Sequence, residues 1–226
     1  MKTTFKEETI QSGKIEIPVH LACADDELRP VMNHVLVTKK HIVASDAHIL
    51  VRHETDSIFT DAFISGFPSD RFLIHSSAWQ KLTEQQVLRF GWSMNDPDCI
   101  LIEYTNKRHY TLSIRVKYEG SMNKGVFDNG IGKYPAYQAV IPSPDKTHPF
   151  DQIPFRPDFL DRLFKSMTKP EDRQHGCSLF PTEHGTPDEN VLHCAITVRA
   201  NSVEADHVVG VIMPVMTNGC DDLRKW

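Results

Sequence analysis

No two cysteines of this chain lie close together. The five (Cys23, Cys99, Cys177, Cys194 and Cys220) are scattered through 226 residues. That spacing argues against a zinc knuckle or a disulfide framework and fits a reducing, cytoplasmic setting. Long apolar runs are also missing. Nothing approaches a membrane span, and the opening Met-Lys-Thr-Thr-Phe-Lys-Glu-Glu has no signal-peptide core, so no membrane partner is expected. Basic excess is absent: the formal net charge is −5, and any nucleic-acid contact must come from a local patch. The sequence has no Gly-x-Ser-x-Gly, no phosphate-cradling Gly-x-x-x-x-Gly-Lys and no His-Glu-x-x-His. Enzymatic activity therefore finds no support, and neither a catalytic residue, a cofactor nor a metal is expected. The twelve histidines include His41, His48 and His53, but a spacing of five sends His48 and His53 to opposite faces of a regular strand. Asp46 beside His48 reads equally as a polar corner or an acid–base pair.

The chain does contain the composition of a soluble globular protein, 40% hydrophobic and 24% charged, long enough for one or two domains. Gly132-Lys-Tyr-Pro-Ala-Tyr-Gln-Ala-Val-Ile-Pro142 organises it. Pro135 and Pro142 hold extended backbone, while Tyr134, Tyr137, Val140 and Ile141 are too apolar for a solvated loop. The stretch reads as an ordered connector on a surface, either a packed crossover or the wall of a groove. Upstream, 14–20 alternates like an edge strand, and strands follow around 35–37, 42–44 and 48–52, with a polar turn at 38–41 and a corner at 45–47. Residues 54–70 are turn-rich. Arg71-Phe-Leu-Ile-His75 leads into a helix over about 76–84, where Ser77 and Gln80 have capping-box spacing. Strands at 99–104 and 109–118 flank a turn at 105–107, and another covers 122–127.

After a Pro-rich linker, a helix over 157–168 begins with Pro157. Its apolar stripe is Phe159, Leu160, Leu163, Phe164 and Met167, opposite Asp158, Asp161, Arg162, Lys165 and Lys169. Residues 170–190 read as loop, and 191–199 and 207–213 as strands joined by a turn at 200–205. Strand, helix, then antiparallel strands, used at least twice, is an α+β architecture.

Three stretches then carry a resemblance. Val43-Ala-Ser-Asp-Ala-His-Ile-Leu50 resembles the Ala-Thr-Asp-Gly-His-Arg-Leu motif of the bacterial DNA polymerase III beta subunit, the sliding clamp. Lys133-Tyr-Pro-Ala-Tyr-Gln-Ala-Val-Ile-Pro142 resembles its Phe-Pro-Asp-Tyr-Arg-Arg-Val-Ile/Leu-Pro, and Val211-Ile-Met-Pro-Val-Met216 its terminal Val-Met-Pro-Met-Arg, in the family's order. Leu28-Arg-Pro-Val-Met-Asn-His-Val-Leu36 is similar to the segment upstream of the first. Ile74-His-Ser-Ser-Ala-Trp-Gln-Lys-Leu82 and Phe155-Arg-Pro-Asp-Phe-Leu-Asp-Arg-Leu163 resemble helices that open its half-domains. Residues 1–143 resemble the middle clamp domain, with half-units at about 1–68 and 69–143. Residues 144–156 read as a linker, and 157–226 resemble the C-terminal part of the clamp. The resemblance is therefore to a shortened, divergent member of the family.

The resemblance implies DNA-clamp-like half-domains, each a helix packed on antiparallel strands, and a non-catalytic role in DNA replication or repair. Clients, polymerases or repair proteins, would insert short apolar peptides into a hydrophobic pocket. Its lining would be Ser45, Ala47, His48 and Leu50 on one side, Pro135 and Val140 on the second, and Met213, Pro214, Val215 and Met216 on the third. Lys81, Arg156, Arg162, Lys165 and Lys169 would face double-stranded DNA without sequence preference, in a homo-oligomeric ring. The alternative is a clamp-derived protein-interaction module that does not encircle DNA. Differences fall at the pocket: Ala47 stands for Gly, Ile49 for Arg, Ala136 for Asp, Gln138 and Ala139 for paired Arg, and Met216 for the final Arg. These changes keep apolar parts and remove charge, which should weaken selection for carboxylate-bearing clients.

Overall fold

A computed structural model describes residues 5, 10–67, 70–84, 86–96, 99–117, 133–141, 156–181, 196–201 and 207–213. All strand pairing in its two sheets is antiparallel. The smaller sheet contains β1 (Gln11–Ser12), β6 (Val87–Trp92), β7 (Cys99–Thr105) and β8 (Thr111–Lys117), in that order. The larger contains β2 (His34–Thr38), β3 (His41–Ser45), β4 (Ile49–Glu54), β5 (Arg71–His75), β9 (Cys177–Pro181), β10 (Ile196–Ala200) and β11 (Val208–Ile212). Its order is β5-β2-β3-β4-β11-β10-β9. The β4–β11 ladder, from His53↔Val208 to Ile49↔Ile212, joins the C-terminal strands to the first ones.

Alternation sorts the large sheet into two faces. Val35, Val37, Ile42, Ala44, Ile49, Val51, Phe72, Ile74, Val198 and Ile212 point inward, into one core shared with the small sheet. Helices α2 (Ser76–Thr83) and α3 (Pro157–Met167) belong to this inner side, burying Trp79 and Leu82, and Phe159, Leu163 and Met167, respectively. Gly210 of β11 lets α3 approach closely, since a Cβ there would overlap the Met167 sulfur. The α+β reading, with both helices on one side of antiparallel sheets, agrees with this arrangement.

Several local expectations need correction. Residues 14–18 form no strand: Pro18 lacks a ladder donor, and a 3₁₀ turn, Val19–Ala22, follows. The cap of α2 is His75, whose Nδ1 accepts from the Ser77 amide at 3.2 Å, so the helix begins one residue before the expected box. Turn-rich 54–70 contains a short helix, α1 (Asp61–Ser65), capped by the Thr60 hydroxyl. Strand β6 was hidden because a register shift between Val87 and Arg89 breaks its alternation. The loop expected over 170–190 holds a 3₁₀ turn, Pro170–His175, and strand β9. The turn between β7 and β8 lies at 106–110, where the Asn106 side chain accepts from the Arg108 and Tyr110 amides. The strand expected at 122–127 lies outside the described residues.

Candidate functional site

On its outer face the large sheet carries a second apolar cluster: Val31, Met32, Leu36, Val43, Leu50, Leu73 and Val211, closed over by Tyr134 and Tyr137. The connector earns this place through its tyrosines. Both are buried; the Tyr134 hydroxyl reaches the Val43 carbonyl at 3.5 Å, and the Tyr137 hydroxyl lies 3.0 Å from His41 Nδ1. Burial raises the pKa of both phenols, so each stays protonated as a hydrogen-bonding group. The connector's other side is open: Val140 is 42% exposed, Pro135 is exposed, and Ile141 is half-buried beside the cluster.

The corner at 45–48 is built from its own side chains. Asp46 Oδ1 accepts from the His48 and Ile49 amides at 2.8 and 2.9 Å, and the Ser45 hydroxyl donates to the Ile49 carbonyl at 2.8 Å. Asp46 is thus a turn former, and the acid–base reading gives way to the polar corner. Ala47 sits at φ 76°, a left-handed conformation that suits glycine. The Met213 amide donates to the His48 carbonyl at 2.8 Å, which ties the end of β11 to the corner.

The structure therefore brings Leu50, Met213 and the connector to one apolar surface. Ser45 is buried with its hydroxyl engaged, and Ala47 is exposed at the corner tip. His48 turns away, its ring stacked on Phe159 of α3 at 5.0 Å. Pro214, Val215 and Met216 lie outside the described residues.

Of the five cations expected to face DNA, four have carboxylate partners. Lys81 is exposed on α2. Arg156 pairs with Asp158 at 2.6 Å and lies over the Phe159 ring at 4.5 Å. Arg162 crosses to Asp46, Lys165 pairs with Asp161 at 2.6 Å, and Lys169 with Glu16 at 3.2 Å. The four cations of this region thus meet four carboxylates. Arg162 and Phe159 do something sequence reasoning missed: they brace the 45–48 corner from the inner side.

His53 is a satisfied core histidine, 1% exposed, whose Nε2–H donates to the Ser166 carbonyl at 3.1 Å. Burial pulls its pKa down to about 4. Beside it, Ile17, Met167, Lys169, Asp172 and His207 border a cleft of about 340 Å³. Among the described residues no three His, Cys, Asp or Glu side chains gather as metal ligands, and no helix is long and apolar enough to cross a membrane.

No family model and no curated protein sequence matches the chain. Solved structures do. The DNA polymerase III beta chain of Streptococcus pneumoniae TIGR4 aligns with a TM-score of 0.50 at 14% identity, over 96% of this chain and 65% of that one. The beta subunit of Streptococcus pyogenes aligns with 0.49 at 13%, over 96% and 68%, and the sliding clamp of Bacillus subtilis with 0.46 at 12%, over 96% and 67%. The chain spans about two thirds of the length of these proteins. In its two antiparallel sheets and the helices packed on them, it has the fold of the bacterial sliding clamps.

Proposed function

We propose that this protein is a non-enzymatic tether that captures short apolar peptides of client proteins, in a replication or repair setting, on the outer face of its large sheet. One observation carries the reading: segments 45–50, 133–141 and 209–213, far apart in sequence, meet in a single apolar cluster that leaves Val140, Ile141 and Met213 partly open. A connector held by two buried tyrosines offers a rigid wall, and methionine a soft floor that adapts to a partner's side chains. Such a site binds by burying a few apolar anchors while backbone groups fix direction. The division into a clamp-like domain (1–143) and a C-terminal half-domain (157–226) is part of this proposal.

The pairing of the α3 cations favours the form of the reading in which the module does not rely on α3 to hold DNA. Exposed ion pairs are weak, so phosphate could compete for them, but each phosphate contact would then leave a carboxylate unpaired. The test of peptide capture is Met213→Asp, read by anisotropy of a labelled Leu/Phe-rich peptide. Met213 is partly exposed, so binding should disappear while the thermal melt is largely kept. Unchanged binding would place the client site elsewhere.

A further inference from the structure

The outer face holds a row of side chains that the apolar cluster does not explain. The ladder sets Arg52 of β4 beside Val209 of β11. One step beyond the Val198↔Gly210 pair, the same antiparallel register sets Val209 beside Arg199 of β10. Two arginines thus flank a half-buried valine, two strand spacings or about 10 Å apart, on one face. Arg199 is exposed, with its guanidinium 5.3 Å from the ring of Phe180, which is 37% exposed. Arg52 is less committed than its position suggests. Its Nη2 is 3.7 Å from Glu54, a carboxylate that also lies 3.6 Å from His41, and its buried Nε has no hydrogen-bond partner. Arg71 lies near the same end, acting on the Tyr137 hydroxyl together with Arg52 and Glu54. Val209, at the centre of the row, packs on the same apolar cluster as Met213 and Ile141. A chain of net charge −5 has placed cations at the border of its open apolar surface.

We propose that this face selects an acidic peptide, an extended client segment whose apolar side chains lie on Val209 and Met213 while its carboxylates meet Arg52 and Arg199. The inference rests on the peptide-capture reading and names the client's chemistry. It also reverses the sequence-based expectation that charge lost at positions 49, 138 and 139 weakens selection for carboxylates. The compensating arginines stand elsewhere on the same sheet face. Guanidinium suits this task because its fork of donors matches a carboxylate.

The test uses the full chain and a fluorescein-labelled octapeptide with two leucines and a phenylalanine. Two further positions carry aspartate, asparagine or lysine. At low ionic strength the aspartate form should bind about 3–10-fold more tightly than the asparagine form, since each partly exposed ion pair contributes modestly. The lysine form should bind more weakly than both. Added salt should shrink the preference, and the double variant Arg52→Gln/Arg199→Gln should reduce it to about one. Equal affinity for the aspartate and asparagine forms would overturn the acidic preference and leave peptide capture standing. A preference that survives in the double variant would overturn the assignment to these arginines. No binding of any form would sink peptide capture itself. A dimer seen by sedimentation without peptide, and lost in the double variant, would give the row to a second copy and overturn the proposal.

Discussion

His53 makes stability depend on pH in a direction and window that can be worked out. It lies on the inner face of β4, 1% exposed, with its Nε2–H spent on the Ser166 carbonyl of α3. Burial lowers its pKa from 6.5 to about 4, against a weaker opposing effect of that hydrogen bond. Between these values the unfolded chain holds a proton that the folded chain refuses. Stability is therefore fully present above pH 6.5 and is lost as pH falls toward 4. Each pKa unit corresponds to about 1.4 kcal/mol, so the whole window is worth about 3 kcal/mol and the part down to pH 5 about 2 kcal/mol. That is a large share of a stability of about 5–15 kcal/mol. Urea denaturation followed by the fluorescence of buried Trp79 and Trp92 would read it as a midpoint lower by about 0.7–1 M at pH 5 than at pH 8. His20 and His41 are also lowered by burial and act in the same sense, so wild type alone cannot isolate the effect. His53→Gln can, because its amide can still donate to Ser166 without titrating. The variant should lose about 2 kcal/mol of the pH 8 to pH 5 difference. Parallel stability–pH curves for wild type and variant would refute the argument.

Three other outcomes are expected. Ala47→Gly should stabilise the protein by about 0.5–1 kcal/mol, because relief of the left-handed conformation exceeds the added freedom of the unfolded chain; the melting temperature should rise by about 1–4 °C. Gly210→Val should lower stability by about 1–3 kcal/mol in urea, since its Cβ would meet Met167 and Leu163 of α3. In a low-salt anisotropy titration with duplex DNA, four α3 contacts would give a log–log salt slope near about −3.6; a much shallower slope, unchanged in Lys165→Gln, is expected from cations already paired.

Much of this was legible because alternation was clean where it mattered. Val35-Leu-Val, Ile42-Val-Ala and His48-Ile-Leu-Val-Arg52 each gave a strand, and the fold class followed. The same alternation, carried from Leu50 to Arg52, could have put a cation on the open face; that step was missed because the motif ends at Leu50. Arg199 was harder, since its neighbour Val209 is known only from the β10–β11 register. Strand β6 was lost to its bulge, and β9 to a proline- and glycine-bearing stretch whose few apolar residues, Cys177, Leu179 and Phe180, form no strong pattern. The cap of α2 failed differently: a histidine ring did what the serine hydroxyl was expected to do.

The cations on and beside α3 acquire partners that the sequence does not show. Along the chain Arg156, Arg162, Lys165 and Lys169 look like a basic cluster. In the fold each has a carboxylate, and two of those carboxylates, Asp46 and Glu16, come from more than a hundred residues away. Asp46 is also the residue that closes the 45–48 corner through two backbone amides, so Arg162 neutralises the one charge that the turn has to bury. Phe159 takes the His48 ring on one side and has Arg156 and Arg162 within 6 Å of its centre. A helix engaged in this way is fixed to the end of the sheet where β11 runs into Met213. Its side chains hold the corner still, and a still corner is what an apolar site needs if peptide binding is not to lose its gain in ordering the wall.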